Sequence, residues 1–449
     1  MKRNFFVFFM LFVFSVNAFA VSVTIYNNDL ALIKDRKEVK LKKGLQKIEV
    51  DNIAMYIDPS SVLPKFSSHN DKIKINEQNF DYDLISTDKL LQQYIGKDIE
   101  IQRNLQNSKK EVISGTLLAV NGGMVVQSKD QIILKPSGEI FLPKLPEGLR
   151  LKPTLSWVVD SQTDGKNNLD FVYQTSGMSW NCDYIVVLAD NDLTIDMTGW
   201  VTINNLSGAT YDNAKVKLVA GDVNLVREQP RRYYAAKNLA MVQSEGAAMD
   251  DSFEERSLLE YHMYDLARKT TIKNNEKKQI QLMMAQKVPV QKKYIYNSLN
   301  DMSKVYTFLF FTNNKKSNLG MALPKGKVRV YKNDNNALEF VGEDKIDHTP
   351  ENKELKLKLG KVFDIFVEKT QTDYLKYSSS GHQETNSIKI TNSKKEKVEI
   401  EIEENLGLGW KIISSSDQHQ KKDSQTAVFK ITVPAGGTYK VTYTVKYSK

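Results

Sequence analysis

The sequence has one cysteine among its 449 residues, so the chain cannot form a disulfide within itself. Its 22 glycines and 11 prolines are too few for a collagen or a low-complexity chain, and 41% hydrophobic residues are too many for a wholly disordered one. The fold must therefore be held by packed cores. We expect Cys182 to lie in such a core, because it follows Trp180 in a β-rich run. An intermolecular disulfide in an oxidising compartment is the alternative.

Long apolar segments are missing after residue 20. A helix that crosses a bilayer needs about 20 predominantly apolar residues. The apolar run at residues 308–311 is short enough to be a single core strand. The sequence therefore predicts no transmembrane helix in the mature chain.

Motifs for catalysis or cofactor binding are also missing. The five histidines are far apart, and none has a second histidine or a cysteine at metal-ligand spacing. His348 beside Asp347 is the best candidate for an oriented imidazole, but we expect it to lie in a turn. Residues 177–179 do not match a nucleophile elbow, and residues 121–124 read as a hairpin turn instead of a phosphate-binding loop.

The acidic pair Asp190 and Asp192 could contact calcium, but a calcium loop needs about six oxygen ligands. A short stretch of this kind is more typical of a hairpin turn. The sequence thus predicts no catalytic residue, no cofactor and no metal site.

The first 20 residues have the three parts of a secretory signal peptide. Lys2 and Arg3 form a positive start, residues 5–14 are an unbroken apolar run, and Ala18 and Ala20 give the small-residue pattern of a cleavage site. We expect cleavage after Ala20 and export to the periplasm or another part of the cell envelope. An uncleaved membrane tether is the alternative.

Alternation of apolar and polar residues, the mark of half-buried strands, dominates the rest of the chain. One short helix is expected, with Thr87 as its cap and Gly96 at its end. The predicted fold is all-β, with several β-sandwich or small-barrel modules and a C-terminal immunoglobulin-like sandwich. The clearest alternating strand has on one face Tyr439, Val441, Tyr443, Val445 and Tyr447.

Turns and changes in composition suggest the division of the chain. The stretch from Arg227 to Arg256 has no sustained period and is interpreted as a flexible linker, or as a segment that orders on a partner. The predicted units are a signal peptide at 1–20, N-terminal β hairpins at 21–86, a small β-barrel-like module at 87–148, a β module at 149–226, the linker at 227–256, a second β module at 257–373, and the C-terminal sandwich at 374–449.

Positive charge exceeds negative charge, with 63 Lys plus Arg against 54 Asp plus Glu and a net charge of +9. Much of the positive charge occurs as dispersed doublets, whereas nucleic-acid binders concentrate it on one face with stacking aromatics. We therefore expect no nucleic-acid partner. A weak attraction to anionic envelope polymers or lipid headgroups is physically reasonable.

Several blocks resemble a family of exported bacterial proteins that is known only as a domain of unknown function. The same domain forms the C-terminal part of mucoidy-inhibitor-like proteins, whose long coiled-coil insertion is absent here. The resemblance implies an all-β build and an envelope location, and it supplies no catalytic residues. The blocks that carry it are VTIYNNDLALIKDRKEV, GMSWNCDYIVVL, GWVTINNLSGATYDNAKVKLVAGDVN, LLEYHMYDLARKTTIKNNEKKQIQLM, VPVQKKYIY and PKGKVRVYKNDNNALEFVGEDKIDHTP.

These features favour a non-enzymatic protein of the cell envelope that acts as a binding or assembly module. Its expected partner is an envelope protein or an anionic envelope polymer. The alternative is an envelope enzyme, a hydrolase of polysaccharide or peptide whose site has no recognisable motif. The oligomeric state does not follow from the sequence.

Overall fold

The structure is a computed structural model that describes residues 20–82, 84–104, 110–146, 149–221, 223–224, 253–258, 261–299, 303–334, 337–378 and 381–447. Strands make up 67% and helices 4%, which confirms the predicted all-β class. None of the described helices has the length and apolar character needed to cross a membrane. The predicted signal peptide, including Ala18 of its cleavage site, lies outside the described residues; Ala20 is the first residue within them.

The elements of the first half are, in chain order, β1 (Ser22–Tyr26), β2 (Leu30–Leu41), β3 (Gly44–Asp51), β4 (Leu63–Phe66), β5 (Ile73–Asp81), α1 (Thr87–Gln93), β6 (Asp98–Asn104), β7 (Lys110–Ala119), β8 (Val125–Ser128), β9 (Gln131–Leu134), β10 (Glu139–Phe141), β11 (Thr154–Ser161), β12 (Gly165–Thr175), β13 (Met178–Leu188), β14 (Thr194–Asn205) and β15 (Tyr211–Ala220).

Those of the second half are β16 (Phe253–Leu258), β17 (Tyr261–Leu266), β18 (Thr270–Ile272), β19 (Glu276–Pro289), β20 (Gln291–Asn297), β21 (Lys304–Asn313), β22 (Gly326–Asp334), β23 (Ala337–Ile346), β24 (Lys353–Lys376), β25 (His382–Asn392), β26 (Val398–Asn405), β27 (Trp410–Ser415), β28 (His419–Lys421), β29 (Thr426–Val433) and β30 (Thr438–Tyr447). Short 3-10 helices cover Pro59–Ser61, Asn70–Lys72 and Lys315–Ser317.

The N-terminal strands are completed by strands from much later in the chain. β1 pairs with β2 in a hairpin and also, in parallel, with β15, which places Ser22 opposite Lys215. β3 and β5 both pair with β11, and β4 pairs with β12. The predicted unit of hairpins at residues 21–86 is therefore not separate, because most of its strands find their partners only in later strands.

The largest core is shared by several sheets. An eight-stranded sheet has the order β16-β17-β15-β1-β2-β12-β4 with β18 on β15, and β3-β11-β5 form a small sheet. A further sheet has the order β19-β14-β13-β22-β23. One continuous cluster of buried side chains draws on all three, including Ile25, Trp157 and Tyr184.

Residues 85–149 form a module inserted between β5 and β11, which pair with each other. Its ends are held together by a bridge between Leu84 and Arg150. Helix α1 is present as predicted, but its cap is Ser86, whose hydroxyl accepts a hydrogen bond from the Lys89 amide, and not Thr87. The module has a small core of its own, made of Tyr94, Ile99, Ile101, Leu117 and Val126.

The inserted module is an open sheet with the order β10-β6-β7-β8-β9. Its first and last strands do not pair with each other within the described residues, so the sheet does not close. The strand spacing predicts a small barrel or a curled sheet, and of these two the described strands form the open sheet. Short hairpins give the same spacing of strands and turns in an open sheet as in a barrel, which is why the sequence pattern did not separate the two.

The C-terminal strands form a sandwich that is larger than predicted. Nine strands have the order β27-β30-β25-β24-β21-β20-β26-β29-β28. Strands β20 and β21 and most of β24 therefore belong to the sandwich, although they precede residue 374. The two ends of this order pack on each other: the rings of Phe429 and Tyr443 lie 5.4 Å apart, and both side chains are buried. An independent sandwich confined to residues 374–449 is thus not what the chain forms, because β26 pairs in parallel with β20.

Strands β21 and β24 connect the two large cores. In β24, Leu355 and Leu357 are buried in the first core, whereas Ile365 and Val367 are buried in the core of the C-terminal sandwich. In β21, Leu309 lies in the first core. Side chains of these two strands are therefore buried in both cores, so the strands join the first core to the C-terminal sandwich.

Most of the predicted linker, residues 227–252, lies outside the described residues. Strand β16 begins at Phe253, so the last four positions of the predicted range belong to a strand that pairs with β17. Phe253 is buried in the first core, where it contributes apolar contact that the charged sequence around it did not indicate.

Candidate functional site

The residues that the sequence offered for chemistry have ordinary structural surroundings. His348 lies between β23 and β24, and its Nδ1 accepts a hydrogen bond from the Lys325 amide at 3.2 Å. Asp192 lies in the turn between β13 and β14, and its carboxylate makes ion pairs with Lys292 and Lys332. Within the described part of the chain, no group of three or more His, Cys, Asp and Glu side chains could hold a metal ion.

Cys182 is a core residue, as predicted. Its side chain is 1% exposed on β13, and burial raises the pKa of its thiol to about 12. The nearby Tyr184 is also fully buried and donates a hydrogen bond to the carbonyl oxygen of Pro324 at 2.8 Å. A thiol in these surroundings is a small apolar packing group and a poor nucleophile.

We expect the Cys182 thiol of the native protein not to react with Ellman's reagent at pH 8. A pKa of about 12 in place of 9.0 lowers the thiolate fraction roughly a thousandfold. Because the folded state favours the neutral thiol, its contribution to stability is complete below pH 9 and falls as the pH rises from 9 towards 12. One equivalent should react in 6 M guanidinium chloride. Rapid native reaction, or a covalent dimer on a non-reducing gel, would contradict this.

A surface of aromatic rings and lysines lies on three neighbouring strands of the C-terminal sandwich. Along β21, Val305, Leu309 and Phe311 point inward and are buried, and Thr307 between them is partly buried. The intervening aromatic side chains point outward and are half-buried, with lysines on both flanking strands beside them. We call this surface the aromatic–lysine face; it consists of Tyr306, Phe308 and Phe310 on β21, Lys293 on β20, and Lys356 and Lys358 on β24.

Strand register places the rings and the lysines on one face, and the Nζ closest to each ring comes from a diagonal neighbour and not from the lysine directly opposite. Phe308 lies directly opposite Lys293 on one side and Lys358 on the other, and Phe310 lies opposite Lys356. Residues opposite each other in neighbouring strands have side chains on the same face, within contact distance. The alternation of the three strands therefore places rings in the centre and cations on both sides.

The distances are those of cation–π contacts. The Nζ of Lys358 lies 3.8 Å from the ring centroid of Tyr306, and that of Lys356 lies 4.2 Å from the ring of Phe308. The Nζ of Lys293 lies 4.5 Å from the ring of Phe310. Each such contact at an exposed site contributes about 0.5–1 kcal/mol and holds an otherwise mobile side chain in one position.

The face continues along β24 toward the far end of the sandwich. The Nζ of Lys304 lies 5.5 Å from the ring of Phe366, which is 44% exposed. Phe363 is 86% exposed, the highest value among the large apolar side chains of the described residues. Aromatic surface and positive charge thus extend together over two strands.

The charge of Lys356 also reaches Glu403, which is paired with Lys422, but the lysines of this face make no ion pair of their own with a described carboxylate. Lys292 on the opposite side of β20, in contrast, is paired with Asp192. An ammonium group above a ring still has donors that point to solvent. Such a surface can bind anionic groups with its cations while the rings provide an apolar floor between them.

No protein-family model matches the sequence, and no curated protein matches it either.

Sequence reasoning missed this face although its parts were visible. Lys293 belongs to one of the dispersed lysine doublets, and Lys356 and Lys358 alternate with leucines in a strand pattern. The apolar run at residues 308–311 predicts one core strand, whereas only Leu309 and Phe311 of this run are buried. The alternation in β21 and β24 shows which residues share a face, but it does not show that these two strands are neighbours.

Proposed function

We propose that this protein is an exported, non-enzymatic binding module of the cell envelope, and that its aromatic–lysine face binds a linear anionic envelope polymer. The observation that carries the proposal is the row of three rings on β21, each with a lysine Nζ within 4.5 Å of its centroid. The three lysines that make these contacts form no ion pair among the described residues. The signal-peptide pattern of the first 20 residues supports the envelope location.

The physical case for an anionic polymer rests on charge complementarity and preorganisation. Cations that already lie against rings lose less side-chain freedom when a ligand binds, so more of the electrostatic attraction remains as affinity. The net charge of +9, from which cleavage of the signal peptide would remove Lys2 and Arg3, adds a favourable long-range field. A repeating polymer can contact several lysines at once, which a single small anion cannot do.

The lysines of the face can be tested by a triple substitution, Lys293→Gln, Lys356→Gln and Lys358→Gln. The control has the same loss of charge at exposed positions outside the C-terminal sandwich, Lys40→Gln on β2, Lys43→Gln in the turn before β3 and Lys72→Gln in a 3-10 helix. At about 0.5–1 kcal/mol for each lost pair between an exposed lysine and an anionic group of the polymer, we expect the first variant to bind dextran sulfate and polyphosphate roughly 10–100-fold more weakly than wild type, and the control to lose less than about threefold.

Added salt and the choice of probe sharpen this experiment. Binding of wild type should weaken as the salt concentration rises, and the triple variant should show a smaller dependence on salt. Neutral dextran should not bind at the face. Equal losses in both triple variants would contradict the proposal, and so would binding to phosphatidylglycerol vesicles without binding to either soluble polyanion.

A further inference from the structure

A groove on the inserted module is the second surface with the form of a binding site. It has a volume of about 620 Å³, which is within the range of about 300–1,000 Å³ that is usual for small-ligand sites. It lies on the side of the sheet opposite to α1. Its lining includes Asp98, Glu100, Thr116, Gln127, Lys129 and Phe141.

The groove exists because the module buries only one face of its sheet. Ile99 and Ile101 on β6 point inward and are buried in the module core, against which Leu91 of α1 packs. Asp98 and Glu100 alternate with them and point to the open face. No described element covers this open face, so the groove remains accessible to a ligand.

A close approach of β7 and β8 shapes the floor of the groove. A Cβ on Gly115 would lie 2.3 Å from the carbonyl oxygen of Gln127, so only glycine permits this spacing of the two strands. Thr116 is thereby held directly opposite Gln127 on one strand and Asp98 on the other. Its hydroxyl donates a hydrogen bond to the Asp98 carboxylate at 2.8 Å.

One aromatic ring forms part of the wall. Phe141 lies directly opposite Glu100 at the edge of the sheet and is 46% exposed. Its ring therefore stands beside a carboxylate, and Thr116 and Gln127 line the same groove. The ring can pack on an apolar C–H face of a ligand, and the neighbouring donors and acceptors can bind its hydroxyl groups.

The charges of the lining restrict the class of ligand. Two carboxylates and one ammonium give a formal charge of −1, in contrast to the aromatic–lysine face. A polyanion would be repelled by Asp98 and Glu100. A purely apolar ligand would desolvate both carboxylates without giving them a hydrogen bond.

We propose that this groove binds a neutral saccharide chain, with one sugar ring packed on Phe141 and its hydroxyl groups donating to the Asp98 and Glu100 carboxylates. Gln127 and Lys129 supply donors for the ring and hydroxyl oxygens of the sugar. The site is independent of the aromatic–lysine face, because it lies on a module with its own core and a different strand order. The protein thus has one surface for negative charge and another for neutral hydroxyl-rich chains.

Calorimetric titration of the full chain with maltotetraose, cellotetraose and chitotetraose tests the proposal. We expect at least one of them to bind, and Phe141→Ala to weaken that binding at least tenfold. Phe340→Ala is the matched control, because Phe340 is 56% exposed on β23, outside the module, and its removal should change affinity less than twofold. Glu100→Gln, which keeps the shape of the side chain, should weaken binding several-fold.

Several results would overturn the proposal. These are failure of all three oligosaccharides to bind at 10 mM, equal effects of Phe141→Ala and Phe340→Ala, and tighter binding of a sulfated oligosaccharide than of its neutral form at this site. Circular dichroism of each variant checks that the sheet is intact. The triple lysine variant should bind the saccharide normally, so failure of either proposal is distinguishable from failure of the other.

Discussion

Lys369→Met is expected to lower the free energy of unfolding by about 3–5 kcal/mol, because it would leave a buried carboxylate without its counter-ion. Glu404 on β26 is 0% exposed and makes an ion pair with Lys369 of β24. Its second hydrogen bond comes from the Tyr443 hydroxyl at 2.8 Å. One of its oxygens, Oε1, has no hydrogen-bond partner among the described residues, so little else compensates the charge.

Urea denaturation of matched variants measures this cost. Lys389→Met removes the lysine of an exposed pair with Glu368, whose side chains are 51% and 69% exposed, and should cost less than about 1 kcal/mol. The double variant Lys369→Met with Glu404→Met should recover much of the loss, since two apolar side chains then replace the pair. If Lys369→Met were as mild as Lys389→Met, the buried ion pair would not contribute as we describe.

Gly326→Ala is expected to cost about 3 kcal/mol, near the upper end of the usual penalty for overpacking a core. Gly326 begins β22, opposite Cys182 of β13 in a parallel pair. A Cβ at this position would lie 2.2 Å from the carbonyl oxygen of Cys182 and 3.0 Å from the ring of Tyr184. The oxygen belongs to the backbone of a central strand and the ring is fully buried, so neither can move at low cost.

Gly360→Ala is the matched control, because Gly360 also lies in a strand, β24, and a Cβ there meets no atom within 4 Å. It should be neutral or slightly stabilising, since alanine lowers the conformational entropy of the unfolded chain. Thermal unfolding followed by circular dichroism compares the two. Similar melting temperatures for both variants would show that β13 and β22 can separate without penalty.

The sequence predicted strands well because a strand's inward face is encoded locally. In β30, the residues on the predicted apolar face include Val441, Tyr443 and Val445, and all three are buried. The pattern could not predict which strands are neighbours. β1 pairs with β15 and β20 with β26, both in parallel, and a period of two contains no information about such distant partners.

The candidate sites show the same limit. Asp98 and Glu100 alternate with buried isoleucines, so their outward direction was readable, but the groove needs Thr116 and Gln127 from two other strands. The aromatic–lysine face likewise assembles from three strands. Its signal in the sequence was the alternation of aromatic residues in β21, which reads equally well as a strand with both faces buried.

Because a bridge between Leu84 and Arg150 holds the ends of the inserted module together, the sheet of β5 and β11 does not depend on what lies between these two residues. Once the two ends are held together, the closure entropy depends only weakly on the length between them, at about 0.6 kcal/mol for each doubling. The pairing of β5 with β11 sets the register on both sides without help from the intervening residues. This position could therefore accept a unit of different size and specificity during evolution, or a reporter protein in the laboratory, while the surrounding sheets remain as they are.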